Sequence, residues 1–473
     1  MKPRSFTGDG WRLTTLATPI AVTQLAQVAM STTNIALMGT LGVRQVAAGG
    51  LAIVLFNQIR TMCVGLITAT GNRIAAAVSG ADTRAESPEE EIHDLVRSSF
   101  LIATVGGIVG GAVLIGLGWA LPWLGQDPGV LADTRPLLVA LAPGLVPCLW
   151  FQVLRQYTVG MQRPQALLLV TLGSVVVNLV LALGFIHGRA GLPAVGLTGI
   201  GVATSLVHTI TVGVFWVMVR RDSRLGPSLP VSPLPARATT VRAELRLGIP
   251  IALTYGSEAG MFSVLALAMG ALGPAALAAH NVVYQIIYIV FQVAIGLSHG
   301  VSILVSHAVA RDERQRARTL ARLVLRHAAV VAAVTGLLYA VVPGLVLSPF
   351  LDSADADAIR IAHTLLLIGI VLQFFDAAQN IGIGLLRGLG ATRAGLRLSL
   401  IGYWGVGLPG AVLLAFPAGL GAAGIWCGLT AGLAATAALL LHRYLTLLDT
   451  TRSDRPRPHP ERRTLETQVG QQH

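Results

Sequence analysis

Two acidic residues stand in the middle of long apolar segments, where their type and position suit ion or ligand binding. Glu258 lies in PIALTYGSEAG and Asp376 lies in QFFDAAQN, whereas the other 20 of the 22 acidic residues fall in polar stretches or near segment ends. A charged carboxylate at mid-bilayer costs roughly 2.5–3.5 kcal/mol, so it persists where it faces a wet cavity and binds something. The pair predicts a site for a proton, a cation or a cationic ligand. The alternative is a structural ion pair with Arg60.

The composition shows what kind of protein must position these groups. Of the 473 residues, 53% are hydrophobic and only 12% are charged, and the mean hydropathy is +0.69. Soluble domains carry roughly 25% charged residues. This chain therefore has too few charged residues to cover the surface of a soluble enzyme of its length. Three cysteines exclude a secreted disulfide scaffold, and the apolar content excludes a disordered chain. A polytopic membrane protein remains.

The apolar segments predict helices rather than a β-barrel. Aromatic residues make up 5% of the chain, and the apolar runs are long and unbroken rather than alternating. A spanning helix needs roughly 20 apolar residues, and backbone in lipid must bond to itself. We therefore predict an all-α membrane protein with twelve transmembrane helices, centred near Val28, Ile59, Gly110, Gly144, Val175, His208, Phe262, Ile287, Thr335, Phe374, Leu408 and Leu433.

The basic residues predict the orientation of the chain. With twelve spans, 29 of the 34 Lys and Arg residues fall on the side of both termini, among them Arg155 and Arg387 as loop residues, and Arg60 lies inside a span. Cytoplasmic loops are enriched in Lys and Arg, so we expect a multi-pass membrane protein with both termini in the cytoplasm. The net charge of +12 then predicts contact with membrane lipid rather than nucleic acid.

The chain contains an internal repeat. A shift of 231 residues places Pro19-Ile20-Ala21 on Pro250-Ile251-Ala252 and yields 11 identities in the 30 positions from 19 to 48. We predict a six-helix lobe at residues 1–220, a cytoplasmic linker at 221–246, a second six-helix lobe at 247–445 and a disordered basic tail at 446–473. Six helices per repeat give both lobes the same orientation, so their pseudo-twofold axis should follow the membrane normal.

Eight further residues in predicted spans are candidates for a central cavity between the lobes. In the first lobe they are amides and one cation, and in the second they are mainly phenols that could offer aromatic faces to flat cations. Each could instead serve only interhelical hydrogen bonding or packing. They are Asn34, Asn57, Arg60, Asn178, Tyr255, Tyr284, Tyr288 and Gln292.

Several segments resemble the multidrug and toxic compound extrusion (MATE) transporters, especially the NorM-like branch. They are PIAVTQLAQVAMSTTNIALMGTLGVRQVAAGG from Pro19, GFIHGRAGLPAVGLTGIGVATS from Gly184, and LLRGLGATR from Leu385 followed by GYWGVGLPGAVLLAF from Gly402. The resemblance implies an exporter of organic, often cationic, compounds that works by antiport with Na⁺ or H⁺ and alternating access. Glu258 and Asp376 match positions tied to coupling in that branch. Asn34 stands where the family usually has an aspartate, so we place the coupling in the second lobe alone.

The resemblance also implies which properties the protein lacks, and several alternative functions must be considered beside it. We expect no enzymatic activity, no cofactor beyond the coupling ion, a monomer, and a location in the bacterial inner membrane. A lipid-linked precursor flippase or an endogenous-metabolite exporter of the same fold is the alternative, although a flippase predicts an Arg-rich cavity and only Arg60 is predicted inside a span. A membrane transferase would need clustered carboxylates, and the trio Asp352, Asp355 and Asp357 suits a solvated loop better. Composition alone does not exclude a channel.

Overall fold

The computed structural model describes residues 6–79, 88–124, 128–188, 191–227, 229, 236–348 and 356–450, and these residues are almost entirely helical. The described first half of the chain contains α1 (Phe6–Gly39), α2 (Val43–Ile67), α3 (Thr70–Ser79), α4 (Pro88–Ala120), α5 (Pro128–Leu141), α6 (Leu145–Gly160), α7 (Gln165–His187) and α8 (Leu197–Arg221). A 3₁₀ turn at Leu121–Leu124 follows α4, and another at Ala142–Gly144 separates α5 from α6.

The second half follows the same plan. Its described elements are α9 (Ala238–Leu272), α10 (Pro274–Ala310), α11 (Arg314–Val341), α12 (Pro343–Leu347), α13 (Ala356–Gly388), α14 (Thr392–Leu400), α15 (Leu408–Ala415) and α16 (Gly421–Thr450). A π-helical turn at Ile401–Gly407 joins α14 to α15. Such turns occur mostly as local insertions in α-helices and are frequent at functional sites.

The prediction of twelve membrane spans is confirmed. Within the described ranges, twelve helical stretches are long and apolar enough to cross a bilayer, and each contains one predicted centre. Three stretches are composite, because α2 continues into α3, α5 into α6, and α14 through the π-helical turn into α15. Pro143 lies in the turn between α5 and α6, where its missing N–H interrupts the helical bonding.

The repeat extends to backbone geometry. Gly42 precedes α2 with φ 120°, and Gly273 precedes α10 with φ 123°. These two glycines are related by the 231-residue shift. Residues with a Cβ rarely adopt this backbone region, so both tight turns require glycine. The first helical hairpin of each half is therefore built with the same turn.

The two halves meet along a surface that we call the seam, formed by α1–α4 on one side and α9–α11 on the other. Gly65 of α2 packs against Ala252 of α9, and Gly296 of α10 packs against Ala21 of α1. The repeat relates Gly65 to Gly296 and Ala21 to Ala252. The same close contact is thus made twice, once in each direction between the halves.

Polar side chains reinforce one end of the seam, where α1 begins and α3 ends. The buried Glu244 of α9 accepts hydrogen bonds from Thr70 and Arg73 of α3, both at 2.9 Å. Asn72 donates to Ser302 at 2.7 Å and to Ser306 at 2.9 Å. Further bonds at this end join Ser79 to His307, Asp94 to Thr240, and Asp9 to Arg316.

Several predicted boundaries need correction. Residues 238–246 of the predicted linker belong to α9, and residues 446–450 of the predicted tail belong to α16. Residues 228 and 230–235 of the linker, 451–473 of the tail, and Asp352 and Asp355 lie outside the described residues. The third member of the acidic trio, Asp357, is exposed and pairs with Arg360 at 3.0 Å, as expected for a solvated position.

Two arginines predicted in loops lie inside the protein instead. Arg155 of α6 and Arg387 of α13 are each only 3% exposed. Arg387 lies in the last turn of α13 and Arg155 five residues before the end of α6, and near a helix end hydropathy does not distinguish a loop residue from a buried one. Arg155 donates to Gln24 of α1, and Arg387 donates to Ser302 of α10 and Tyr255 of α9, so each is held by other helices of its own half.

Candidate functional site

One amide connects the two carboxylates that the sequence singled out. Gln379 Nε2 donates to Glu258 Oε1 at 3.1 Å and to Asp376 Oδ1 at 3.3 Å. Glu258 lies on α9, whereas Asp376 and Gln379 lie one turn apart on α13 and therefore share a face. Asp376 is 5% exposed and Glu258 is partly exposed. The structure thus brings the two predicted coupling residues together.

A buried tyrosine orients that amide. Tyr403 in the π-helical turn donates its O–H to Gln379 Oε1 at 2.7 Å, and both residues are 0% exposed. With its oxygen occupied as an acceptor, the amide directs its NH₂ group at the carboxylates. The close approach of Gly402 to Thr436 of α16 leaves no room for a side chain at that position of the turn. The turn therefore sits deep enough for Tyr403 to reach the site.

Gln379 and Tyr403 were missed by sequence reasoning, although both signals were present. Gln379 follows Asp376 by three residues in QFFDAAQN, a spacing that places both side chains on one helix face. Tyr403 lies in GYWGVGLPG, a segment that was used only for its family resemblance. Tyr403 reaches Gln379 only because of how the segment from α14 to α15 packs on α13. The hydrophobic periodicity of the sequence does not reveal that packing.

The carboxylates have no basic partner among the residues that the structure describes. Arg60, the alternative partner, donates from Nε to Asn57 Oδ1 at 3.4 Å instead of forming an ion pair with Glu258 or Asp376. A cavity of about 20 Å³ borders Asp376, lined mainly by apolar side chains with Gln373 as a polar one. This volume holds about one water-sized occupant. A proton carrier, a water or a small cation therefore fits beside Asp376.

In the first half, three of the four predicted cavity residues line one space. Asn34, Asn57 and Arg60 border a cavity of about 70 Å³ together with Gln27 and His208. Asn34 also joins three helices, since its Oδ1 accepts from Asn178 Nδ2 at 2.8 Å and its Nδ2 donates to Thr204 at 3.5 Å. Asn178 is 0% exposed, so its contact with Asn34 is interhelical.

In the second half, two predicted tyrosines stack along α10. The rings of Tyr284 and Tyr288 are 5.9 Å apart and inclined by 27°, and Phe262 of α9 packs on Tyr284 at 5.0 Å. Gln292 lies one turn further along and is 2% exposed. Tyr255 lies apart from this stack, because its hydroxyl accepts from Arg387 Nη1 at 3.2 Å.

Comparisons with known proteins now identify the family. The MatE family model matches residues 19–183 and 250–413, and the two matched segments begin 231 residues apart, the shift of the internal repeat. A probable multidrug resistance protein NorM of Pseudomonas aeruginosa is 35% identical over 427 residues, which cover 89% of this chain and 86% of that protein. The probable NorM of Deinococcus radiodurans is 34% identical over 448 residues, with 93% and 96% covered.

A solved structure supports the same fold. The outward-facing conformation of a multidrug resistance MATE family transporter of the MOP superfamily superposes with a TM-score of 0.84 over 94% of this chain and 97% of that one, at 16% identity. The family resemblance inferred from the motifs is confirmed by the family model and by relatives above 30% identity. This twelve-span membrane protein therefore belongs to the MatE family, and the NorM relatives that it resembles are probable multidrug resistance proteins.

Proposed function

We propose that the protein exports organic, often cationic, compounds by antiport with Na⁺ or H⁺ through alternating access. One observation carries the proposal: two carboxylates from different helices share a single bridging amide and have no basic partner in the described part of the chain. The relatives are multidrug resistance proteins, which supports an organic cargo.

The chemistry of the site favours exchange. The Gln379 amide offers one N–H to each carboxylate, which is too little to offset two negative charges at short range. A proton, a Na⁺ ion or a cationic cargo molecule relieves this repulsion, so the pair is suited to binding a cation. Because coupling ion and cargo neutralise the same charges, occupation by one weakens binding of the other. The cavity beside Asp376 has space for the small ion.

The aromatic stack supports a cargo with a flat cationic group. Tyr284 and Tyr288 present neighbouring ring faces, and Tyr288 is 36% exposed. Phe262, whose ring lies 5.0 Å from that of Tyr284, follows Glu258 by one turn on α9, which supports a position of the stack near the carboxylates. A cation over such faces gains about 0.5–2 kcal/mol, with the larger value where water is excluded.

The contacts between the halves support the alternating-access part of the proposal. The polar contacts of the seam gather at the end where α1 begins, and we place both termini in the cytoplasm of a bacterial cell. In this proposal the polar end of the seam is the cytoplasmic closure, which must separate when cargo enters from the cytoplasm. Ion entry from outside displaces cargo, and the differential affinity of the two states for ion and cargo shifts their equilibrium. A membrane potential supplies roughly 2.3 kcal/mol per charge per 100 mV.

Dye efflux from proteoliposomes tests this proposal. Purified protein should transport a cationic dye when a Na⁺ or a H⁺ gradient is imposed, and Glu258→Gln or Asp376→Asn should reduce gradient-driven transport at least tenfold. Asp357→Asn is the matched control, because that carboxylate is exposed and pairs only with Arg360. Unchanged gradient-driven efflux in Asp376→Asn would refute the proposal.

A lipid-linked precursor flippase is the second candidate, and one structural observation favours it. The sequence argued against a flippase because only Arg60 was predicted inside a span, yet Arg155 and Arg387 are buried as well. Transfer of a fluorescent lipid diphosphate between leaflets, in the same proteoliposomes and without dye efflux, would favour the flippase.

The remaining properties follow from the transport proposal. The protein acts as a monomer of the bacterial inner membrane, contacts lipid over its apolar surface, binds no nucleic acid and needs no cofactor besides its coupling ion. It transports without chemical conversion of the cargo, so it is not an enzyme.

A further inference from the structure

The cavity of the first half contains a positive charge without an opposite charge. Arg60 of α2 borders this space of about 70 Å³, and its described lining includes no acidic residue. Arg60 donates from Nε to Asn57 Oδ1 at 3.4 Å and forms no ion pair within the described ranges. A charge inside a membrane span is expensive and is kept where it faces a wet cavity and interacts with a partner. Arg60 therefore needs a counter-charge.

The carboxylates of the described chain do not supply that counter-charge. Met62 of α2 packs against Gly256 of α9 across the seam, which places Glu258 near the level of Arg60. Glu258 nevertheless accepts from Gln379 of its own half at 3.1 Å. The acidic residues of the described first half lie near helix ends rather than in the middle of a span, and they are Asp9, Glu89, Glu90, Glu91, Asp94, Asp133 and Asp222.

The asparagines that border this cavity offer donors rather than acceptors. Asn57 Oδ1 accepts from Arg60, and Asn34 Oδ1 accepts from Asn178 Nδ2 at 2.8 Å. An amide whose oxygen is engaged by a protein donor has its N–H groups left for a ligand. The NH₂ group of Asn34 makes a long contact of 3.5 Å to Thr204. Small cations are bound by oxygen atoms, so the cavity suits an anion better than a cation.

The internal repeat shows that the two halves differ in charge at equivalent positions. The 231-residue shift relates Arg60 to Phe291, which lines the cavity beside Asp376. The same shift relates Gln27, which lines the cavity of the first half, to Glu258. The first half thus has a neutral amide in place of the carboxylate and a guanidinium in place of an apolar ring. Its cavity is suited to an ion of the opposite sign.

We propose that the cavity of the first half binds a small monovalent inorganic anion, such as chloride, through Arg60 and the Asn57 amide. N–H groups of a guanidinium form charge-assisted hydrogen bonds to anions, and a single negative charge balances the single positive charge. A water needs about 10–15 Å³ of such space, so the cavity of about 70 Å³ holds the ion with some of its water. This site goes beyond the proposed antiport, because it lies apart from the carboxylates and supplies no coupling ion.

Thermal unfolding of the purified protein in detergent tests this site. A ligand that binds only the folded state stabilises it in proportion to its occupancy. The melting temperature of wild-type protein should therefore rise when chloride replaces gluconate at constant Na⁺ concentration. We expect a saturable rise of roughly 2–4 °C, and bromide should act like chloride. Equal melting temperatures in chloride and gluconate would overturn the proposal.

Two variants remove the site by opposite means. Arg60→Gln removes the positive charge, whereas Asn34→Asp places a carboxylate in the same cavity as the counter-charge of Arg60. Chloride should stabilise neither variant. Arg360→Gln is the control, because Arg360 is exposed, and it should keep the wild-type response. A chloride effect of wild-type size in both Arg60→Gln and Asn34→Asp would overturn the proposal and assign the effect to the basic surface.

Equilibrium dialysis with radioactive chloride keeps the test decisive if a variant fails to fold. Wild-type protein should bind chloride at a stoichiometry close to the number of chains, and bromide but not gluconate should displace it. Absence of saturable binding would overturn the proposal. Neither measurement needs an ion gradient or a cargo molecule. Chloride binding without gradient-driven efflux would therefore count against the antiport alone, and efflux without chloride binding would count against this site alone.

Discussion

Gly65 of α2 lies directly against Ala252 of α9, so that a Cβ on Gly65 would stand 2.5 Å from the Ala252 Cα. The repeat makes the equivalent contact between Gly296 and Ala21, where a Cβ on Gly296 would stand 2.7 Å from the Ala21 Cβ. Backbone atoms cannot move aside as a flexible side chain does. A seam this close therefore requires glycine at both positions. The two contacts therefore report whether the halves are joined.

A larger side chain at Gly65 should separate the halves. We expect Gly65→Val to lower the melting temperature in detergent, since overpacking typically costs about 1–3 kcal/mol. Gly296→Val should behave alike because the repeat makes its contact equivalent. Gly173→Val in α7 is the control, as nothing lies within 4 Å of a Cβ there. Equal melting temperatures for Gly65→Val and the control would contradict the close contact.

The charged contact at the end of the seam should govern its opening. Glu244→Gln leaves Arg73 without its ion-pair partner while keeping a hydrogen-bond acceptor for Thr70. Loss of a buried pair costs about 3–5 kcal/mol, and we expect a smaller effect because Arg73 is 27% exposed.

Thiol labelling measures that opening. Ile303→Cys, at a position only 2% exposed and packed near Gly71, should react faster with an impermeant reagent when Glu244→Gln is added. The three native cysteines are replaced by alanine beforehand. Asp357→Asn should leave the rate unchanged, because its ion pair is exposed. An unaltered rate in Glu244→Gln would show that this contact does not close the seam.

The amide bridge should be needed for coupling. Gln379→Ala removes both N–H donors and leaves the carboxylates without a bridge, so we expect gradient-driven efflux to fall at least tenfold. Tyr403→Phe removes only the orienting hydrogen bond, worth about 1 kcal/mol, and should reduce efflux roughly fivefold. Tyr339→Phe, another buried tyrosine of the second half, is the control. Wild-type efflux in Gln379→Ala would mean that the bridge is incidental.

The first half should not carry the coupling. Asn34→Ala removes hydrogen bonds to Asn178 and Thr204, and we expect a lower melting temperature with the same ratio of efflux with and without the ion gradient. In Asp376→Asn that ratio should fall towards one. A comparable loss of the ratio in Asn34→Ala would move the coupling into both halves.

A carboxylate outside the membrane spans should make stability depend on pH. Backbone N–H groups of Arg224 and Leu225 donate to Asp222 at 2.9 and 3.0 Å, and with Arg163 they hold the pKa of this carboxyl below its usual 3.8. A carboxyl with a lower pKa in the folded state contributes stability above the unfolded pKa and loses it as pH falls.

Asp222→Asn should therefore lower the melting temperature at pH 7, and the difference from wild type should shrink below about pH 4 as the wild-type carboxyl becomes protonated. Thermal unfolding in detergent from pH 7 to pH 3 measures this. A difference that stays constant over that range would contradict it.

Hydropathy and identity in the sequence determined the twelve spans and the repeat and made Glu258 and Asp376 candidates for the site, because these features depend on local composition. A carboxylate inside an apolar run stands out regardless of how helices pack. The contact of Gln379 with both carboxylates, the approach of Tyr403, and the burial of Arg155 and Arg387 were decided only by tertiary structure. Each depends on which face of a helix meets the neighbouring helix or the opposite half, and that rotation and depth arise from packing between segments far apart in the chain.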